Sequence, residues 1–173
     1  MPKIIENVRE QLLNEARKQI AQNGYANTTI RSVAKACGLG IGTVYNYFSS
    51  KDMLIASFMA DDWKQCLKEI EHNVSNDAKK VFESMYHSLS YFVQKYSALF
   101  SDSDATKVYA TAFSVRHEQL RSQLAGYIRP ICDNAKVEDK EFLAEWLAES
   151  VLTWTVRQKT FEEQYEIIKQ VLK

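Results

Sequence analysis

Apolar residues recur at intervals of three and four along nearly the whole chain, the spacing that lines up one face of a helix. Ile5, Val8, Leu12, Ala16 and Ile20 form a first stripe that stops at Asn23-Gly24, a pair suited to ending a helix. Thr28 or Thr29 can cap a short second helix carrying Ile30, Val33 and Ala34, and Cys37-Gly38 ends it. A third short helix is expected from Ile41 to Tyr47. Ser49 or Ser50 then caps a long fourth one, whose stripe of Ile55, Met59, Asp62, Cys66 and Ile70 carries it to about His72.

Beyond the break at Ser75-Asn76-Asp77, the residues Val81, Met85, Leu89, Phe92, Tyr96 and Leu99 predict one unbroken helix of more than five turns. Ser101-Asp102-Ser103-Asp104 is a second break with capping residues. Val108, Ala112 and Val115 follow, then Leu120, Leu124, Tyr127 and Ile131. Gly126 and Pro130 interrupt that stretch, and Pro130 is expected to kink or end its helix. Leu143, Leu147, Val151 and Trp154 mark a late helix, and Phe161, Tyr165, Ile168 and Leu172 the last. With no alternating strand pattern, the chain reads as all-α with about nine helices. The expected division is a helix-turn-helix head over residues 1–50 and a larger helical domain over residues 51–173.

Composition narrows the function. The 173 residues are 46% hydrophobic and 25% charged, as in a folded protein, and equal numbers of basic and acidic groups give zero net charge. That balance excludes a protein that coats nucleic acid over its whole surface. The zero hides an asymmetry: residues 1–60 hold seven basic and four acidic groups. No apolar run approaches the roughly 20 residues that span a bilayer. The opening Met1-Pro2-Lys3-Ile4-Ile5-Glu6 carries no signal-peptide core. Cys37, Cys66 and Cys132 are odd in number and scattered, with neither disulfide nor zinc spacing. The expectation is a reduced, cytoplasmic protein without membrane contact.

Residues 28–48 concentrate the chemistry: a short helix, a glycine turn and a second short helix, the arrangement that lays one helix over the DNA backbone and sets the next in the major groove. Gly40, Ile41 and Gly42 form its leading edge, where small residues allow close approach. Thr43, Tyr45, Asn46 and Tyr47 supply hydroxyls and an amide for phosphates or base edges. Arg31 and Lys51 flank them as phosphate partners, together with Lys35. Thr28 and Thr29 can cap, touch phosphate, or do both. Tyr45 can face DNA or pack inward to orient its helix, whereas Val44 and Phe48 read as core.

Residues 16–54 resemble the N-terminal domain of the tetracycline-repressor (TetR) family of bacterial transcription regulators. The matching positions are Ala21, Gly24-Tyr25, Thr28-Thr29-Ile30, Val33-Ala34, Ala36, Gly38-Leu39, Gly42-Thr43-Val44-Tyr45, Tyr47-Phe48 and Lys51. One departure is Gly40, where the family often has a serine or other polar residue, followed here by the apolar Ile41. The resemblance implies a homodimer joined by the last two helices, and a small-molecule effector bound in the C-terminal domain. It also implies coupling of the two parts through the helix that begins at Lys51. Phe142, Trp146, Val151, Trp154, Phe161, Tyr165 and Ile168 are the candidate dimer residues, unless their helices simply close the protomer core. Tyr86, Tyr91, Phe92, Tyr96, Tyr109 and Phe113 line an effector cavity or are ordinary core.

No nucleophile–base motif, phosphate loop or dinucleotide fingerprint occurs, so no catalytic residue, metal ligand or cofactor is assigned. The function expected is that of a transcriptional regulator, foremost a repressor, that binds a near-palindromic operator as a homodimer and is released by a small effector. The alternative is a helical interaction module that controls a partner protein and binds DNA weakly or not at all.

Overall fold

The structure, a computed structural model, describes residues 7–173, with side chains described throughout except at 106–116. Among the described residues there are nine helices and no strands: α1 (Val8–Asn27), α2 (Ile30–Ala36), α3 (Ile41–Tyr47), α4 (Lys51–His72), α5 (Ala78–Lys95), α6 (Ser97–Phe100), α7 (Ser103–Cys132), α8 (Lys140–Val156) and α9 (Phe161–Val171).

Short polar side chains set the helix starts. Thr29 and Ser32 form a reciprocal cap on α2, and Thr160 and Glu163 do the same on α9. The Ser50 hydroxyl accepts the Met53 N–H at 3.1 Å to start α4. Asp77, Asp102 and Asp139 accept backbone N–H groups at the starts of α5, α7 and α8. Within α1 the helical geometry breaks at Gly24 (φ 75°, ψ 176°), where the hydrophobic stripe predicts an end, and one further turn follows.

Two expectations are corrected. The long stripe ending at Leu99 is not one helix: Tyr96 leaves helical geometry (φ −109°, ψ 11°) and separates α5 from α6. Conversely, α7 runs through Gly126 and Pro130. Gly126 does not interrupt the helix; Pro130 falls within the last turn, where it cannot donate to the Gly126 carbonyl, and α7 ends two residues later, close to the end expected of it. The expected Val108, Ala112 and Val115 stripe lies outside the described side chains.

The chain forms two compact units. The first comprises the residues up to Trp63 together with Tyr96–Tyr109, so this packing unit runs past residue 50. Its core holds Leu12, Ala16, Val33, Val44, Leu54, Ile55 and Phe58, all at or near zero exposure. Arg17 of α1 donates to Asp62 at 2.8 Å and to the Phe58 carbonyl at 3.3 Å, and the Tyr96 hydroxyl donates to the same Asp62 carboxylate. The Phe58 and Tyr96 rings stack, with centroids 6.0 Å apart.

The second unit comprises Lys64–Lys95 and Ala110–Lys173. Here α8 packs on α5 and α9, burying Val81, Phe82 and Met85 with Leu143, Leu147 and Val151. The buried Gln164 amide donates to Thr155 Oγ1 (3.2 Å) and to the Lys159 carbonyl (3.1 Å), tying the α8–α9 turn. Among the described residues no helix is long and apolar enough to cross a membrane.

Candidate nucleic-acid interface

The first unit presents α3 on its surface. Gly38 takes φ +66°, a left-handed turn that a side chain would strain, and this turn ends α2 three residues before α3 begins. Val44 is fully buried and Phe48 nearly so, which anchors α3 from behind. The opposite face is open: Tyr45 is 53% exposed and Tyr47 48%, with Ile41, Gly42 and Asn46 also exposed and Thr43 half-buried. The open alternative for Tyr45 resolves toward the outside, so its hydroxyl is available to a partner.

Behind α3, polar links hold α2 in place. The Ser32 hydroxyl donates to Gln19 Oε1 at 2.6 Å, and the Gln19 amide donates to Glu15 at 2.9 Å, fastening α2 to α1. Arg31 and Lys35 stand exposed on α2. Much of the remaining basic excess is paired with carboxylates: Arg17 with Asp62, Arg9 with Asp61 at 3.2 Å on the surface, and the exposed Lys18 4.0 Å from Glu15.

Two expected phosphate partners sit otherwise than the sequence reading placed them. Thr28 is 1% exposed and its hydroxyl donates to the Gly24 carbonyl at 2.9 Å, so it stitches the kink in α1 rather than facing DNA. Thr29, which caps α2, keeps an exposed position. Lys51 is half-buried: its ammonium donates to the Tyr25 carbonyl at 2.9 Å and lies 3.6 Å from the centre of the Tyr25 ring. The Tyr25 hydroxyl in turn donates to Asp52 at 2.6 Å, and burial together with that carboxylate pushes its pKa well above the ordinary tyrosine range. The Tyr25–Asp52 link went unread in the sequence, although Gly24-Tyr25 stood there as a motif pair.

In the second unit the candidate dimer residues divide. Phe142 (61% exposed), Trp146 and Trp154 face outward, whereas Val151, Phe161 and Ile168 are core, and Tyr165 stacks on Phe161 at 5.3 Å. Ile167, which the stripe did not select, is 60% exposed. Trp146, Trp154 and Ile167 line an apolar groove of about 480 Å³ rimmed by Lys159 and Glu163. The aromatic effector candidates also scatter. Tyr86 packs on Phe161 and His87, Phe92 is half-buried, and Tyr96 belongs to the first unit, bonded to Asp62. Tyr109 and Phe113 lie outside the described side chains. Tyr91 alone of the six lines a described cavity, an open groove of about 690 Å³ shared with the polar His72, Lys80, Glu83 and His87.

Among the described residues no group of three or more His, Cys, Asp or Glu could hold a metal ion. Burial raises the Cys37 thiol above its usual range, which disfavours the reactive thiolate. His117 pairs with Glu149 at 2.7 Å.

Residues 12–58 match the model for bacterial regulatory proteins of the tetR family. The HTH-type transcriptional regulator UidR of Escherichia coli K12 is 32% identical over 59 residues, which are 34% of this chain and 30% of that one. The match therefore spans under a third of the relative's length. Solved structures extend the likeness in fold to almost the whole chain. A transcriptional regulator from Cytophaga hutchinsonii superposes with a TM-score of 0.64 at 21% identity, covering 94% of this chain and 93% of the other. Thermus thermophilus FadR, a TetR-family repressor solved with lauroyl-CoA, gives 0.60 at 17% identity, covering 95% and 92%. The helix-turn-helix whose outer face is open thus lies within a segment, residues 12–58, that matches the tetR-family model, and the fold around it is similar to those of solved transcriptional regulators.

Proposed function

We propose that the protein is a DNA-binding transcriptional repressor that grips a near-palindromic operator as a homodimer and is released by a small-molecule effector. The observation that carries this reading is the outer face of α3, where Ile41, Thr43, Tyr45, Asn46 and Tyr47 stand over a buried Val44 within the family-matched segment. A helix so exposed, with hydroxyls and an amide, has the groups that bond base edges and phosphates. Arg31, Lys35 and the exposed Thr29 supply positioning contacts beside it. Residues 1–50 then serve as the reading head, and residues 51–173 take up the effector and join the protomers.

The dimer contact is assigned to Phe142, Trp146, Trp154 and Ile167, because these large apolar side chains are exposed on α8 and α9. A two-fold pairing of that face covers the groove between Trp146 and Trp154 with the same groove of a second copy. The FadR likeness, at 17% identity, supports the fold and leaves the effector's chemistry open. No enzymatic step is assigned to any residue.

Selection of source-genome fragments by the purified protein at physiological salt tests the reading. A shared inverted repeat among the enriched fragments is the expected result. A folded, dimeric protein that enriches nothing would overturn operator binding by the protein alone and favour a head that serves a protein partner.

A further inference from the structure

One side chain on the outer face of α3 differs in kind from its neighbours. Ile41 is 38% exposed, a branched hydrocarbon set among hydroxyls and an amide. Tyr45 follows it at i+4, and Gly42 and Asn46 form the adjoining i, i+4 pair, so the four stand side by side on the helix surface. The helix carries no charged residue at all. It therefore offers no guanidinium or ammonium for the bidentate contact to guanine that dominates specific readout. Of the base edges in the major groove, only thymine presents an apolar group, its C5-methyl, and adenine is the base that an amide matches with two bonds.

The glycines on either side of Ile41 add a second, independent observation. Gly40 has φ −69°, open to any residue, and a Cβ there would meet nothing closer than Thr43 Oγ1 at 3.8 Å. A Cβ on Gly42 would meet nothing within 4 Å. Neither the backbone nor the protein's own packing calls for glycine, and glycine weakens a helix relative to alanine. The missing side chains leave Ile41 standing clear, with room on both sides for an external surface to reach the backbone.

We propose that Ile41 is a specificity-determining residue that reads a thymine methyl in each operator half-site, within a recognition helix suited to A·T pairs. The inference rests on the DNA-binding reading above and names the base group that α3 selects. Burying one methyl against the isoleucine corresponds to about fourfold in affinity per half-site, and to about fifteenfold for a symmetric pair.

The test uses the full-length protein and the operator enriched from genomic fragments. Each thymine is replaced in turn, in both half-sites, by deoxyuridine, which removes the methyl and nothing else. The expected result is one position per half-site at which the replacement weakens wild-type binding about fifteenfold, while Ile41→Ala binds the two duplexes equally. Ile41→Val, which keeps a branched hydrocarbon, should retain most of the difference, and circular dichroism should show both variants folded. The proposal is overturned if no position is sensitive to the methyl, or if the sensitivity persists unchanged in Ile41→Ala. Either of those results leaves the regulator reading standing, whereas absence of any enriched operator removes both.

Discussion

The ammonium of Lys51 lies 3.6 Å from the centre of the Tyr25 ring and donates to the Tyr25 carbonyl at 2.9 Å. A cation that caps a ring and a carbonyl at once fastens the start of α4 to the turn just after the kink at Gly24. This turns a residue that the sequence offered as a phosphate partner into a strut of the head.

The strut has a measurable consequence. Lys51→Met keeps much of the aliphatic stem but removes the cation–π contact and the hydrogen bond, together worth about 1–2 kcal/mol at a half-buried site. For a chain of this size each kcal/mol corresponds to about 2–4 °C, so the melting temperature should fall by several degrees even without DNA. An unchanged melting temperature, with weaker DNA binding only, would return Lys51 to the phosphate contacts.

Exposed groups of the head should separate by what they do to salt dependence and to sequence preference. Arg31→Ala should weaken binding to all sequences alike and reduce the slope of log affinity against log salt by about one. Thr43→Ala should leave that slope alone and shift the preferred base at one operator position. Fluorescence anisotropy over a salt series, on the selected operator and on point variants of it, distinguishes the two. An Arg31 variant with an unaltered slope would remove that residue from the phosphate contacts.

The division of α8 into an inner and an outer apolar seam predicts two kinds of damage. Trp146→Glu places a charge on the exposed seam and should convert the dimer to a folded monomer in sedimentation experiments. Val151→Ala, at 2% exposure, should instead open a cavity in the protomer and lower its stability by roughly 1–3 kcal/mol, with dimerisation altered only secondarily. A Trp146→Glu protein that sediments as a dimer would move the interface elsewhere.

Those two seams also explain how far the sequence could be read. Helix periodicity places Leu143, Leu147, Val151 and Trp154 on one stripe and Phe142 and Trp146 on another, but both are apolar. Only the packing of α5 and α9 decides which becomes core. The head was legible nearly residue by residue because its boundaries depend on local chemistry: the Thr29 cap, the Gly38 turn and the buried Val44 act within a few residues of themselves. Thr28 escaped that logic because its hydroxyl turns back to the Gly24 carbonyl four residues earlier, beside a kink that the sequence marks only as a helix end. The break at Tyr96 was hidden for a similar reason. Its apolar ring fits the α5 stripe, while its hydroxyl answers to Asp62, thirty-four residues away in sequence.

That long-range bond predicts how stability changes in alkali. Burial, and the Asp62 carboxylate that accepts its hydroxyl, raise the Tyr96 pKa far above the ordinary tyrosine range, with Arg17 opposing. The folded state therefore holds the proton more tightly than the unfolded chain, in which tyrosine titrates near about 10. The contribution is complete below that value and declines as pH rises above it, at up to about 1.4 kcal/mol per pH unit. Tyr96→Phe removes the hydroxyl and should cost about 1–3 kcal/mol at pH 8, where the bond to a charged acceptor is intact. At pH 11 the gap between wild type and variant should narrow by about 1.4 kcal/mol, because the wild type must now keep a proton that its unfolded chain releases. Urea unfolding of both proteins at the two pH values measures the gap, and the comparison cancels the titration of lysines and of Tyr25 common to both. A gap that stays constant or widens in alkali would mean that the Tyr96 hydroxyl does not hold its proton against Asp62 in the folded protein.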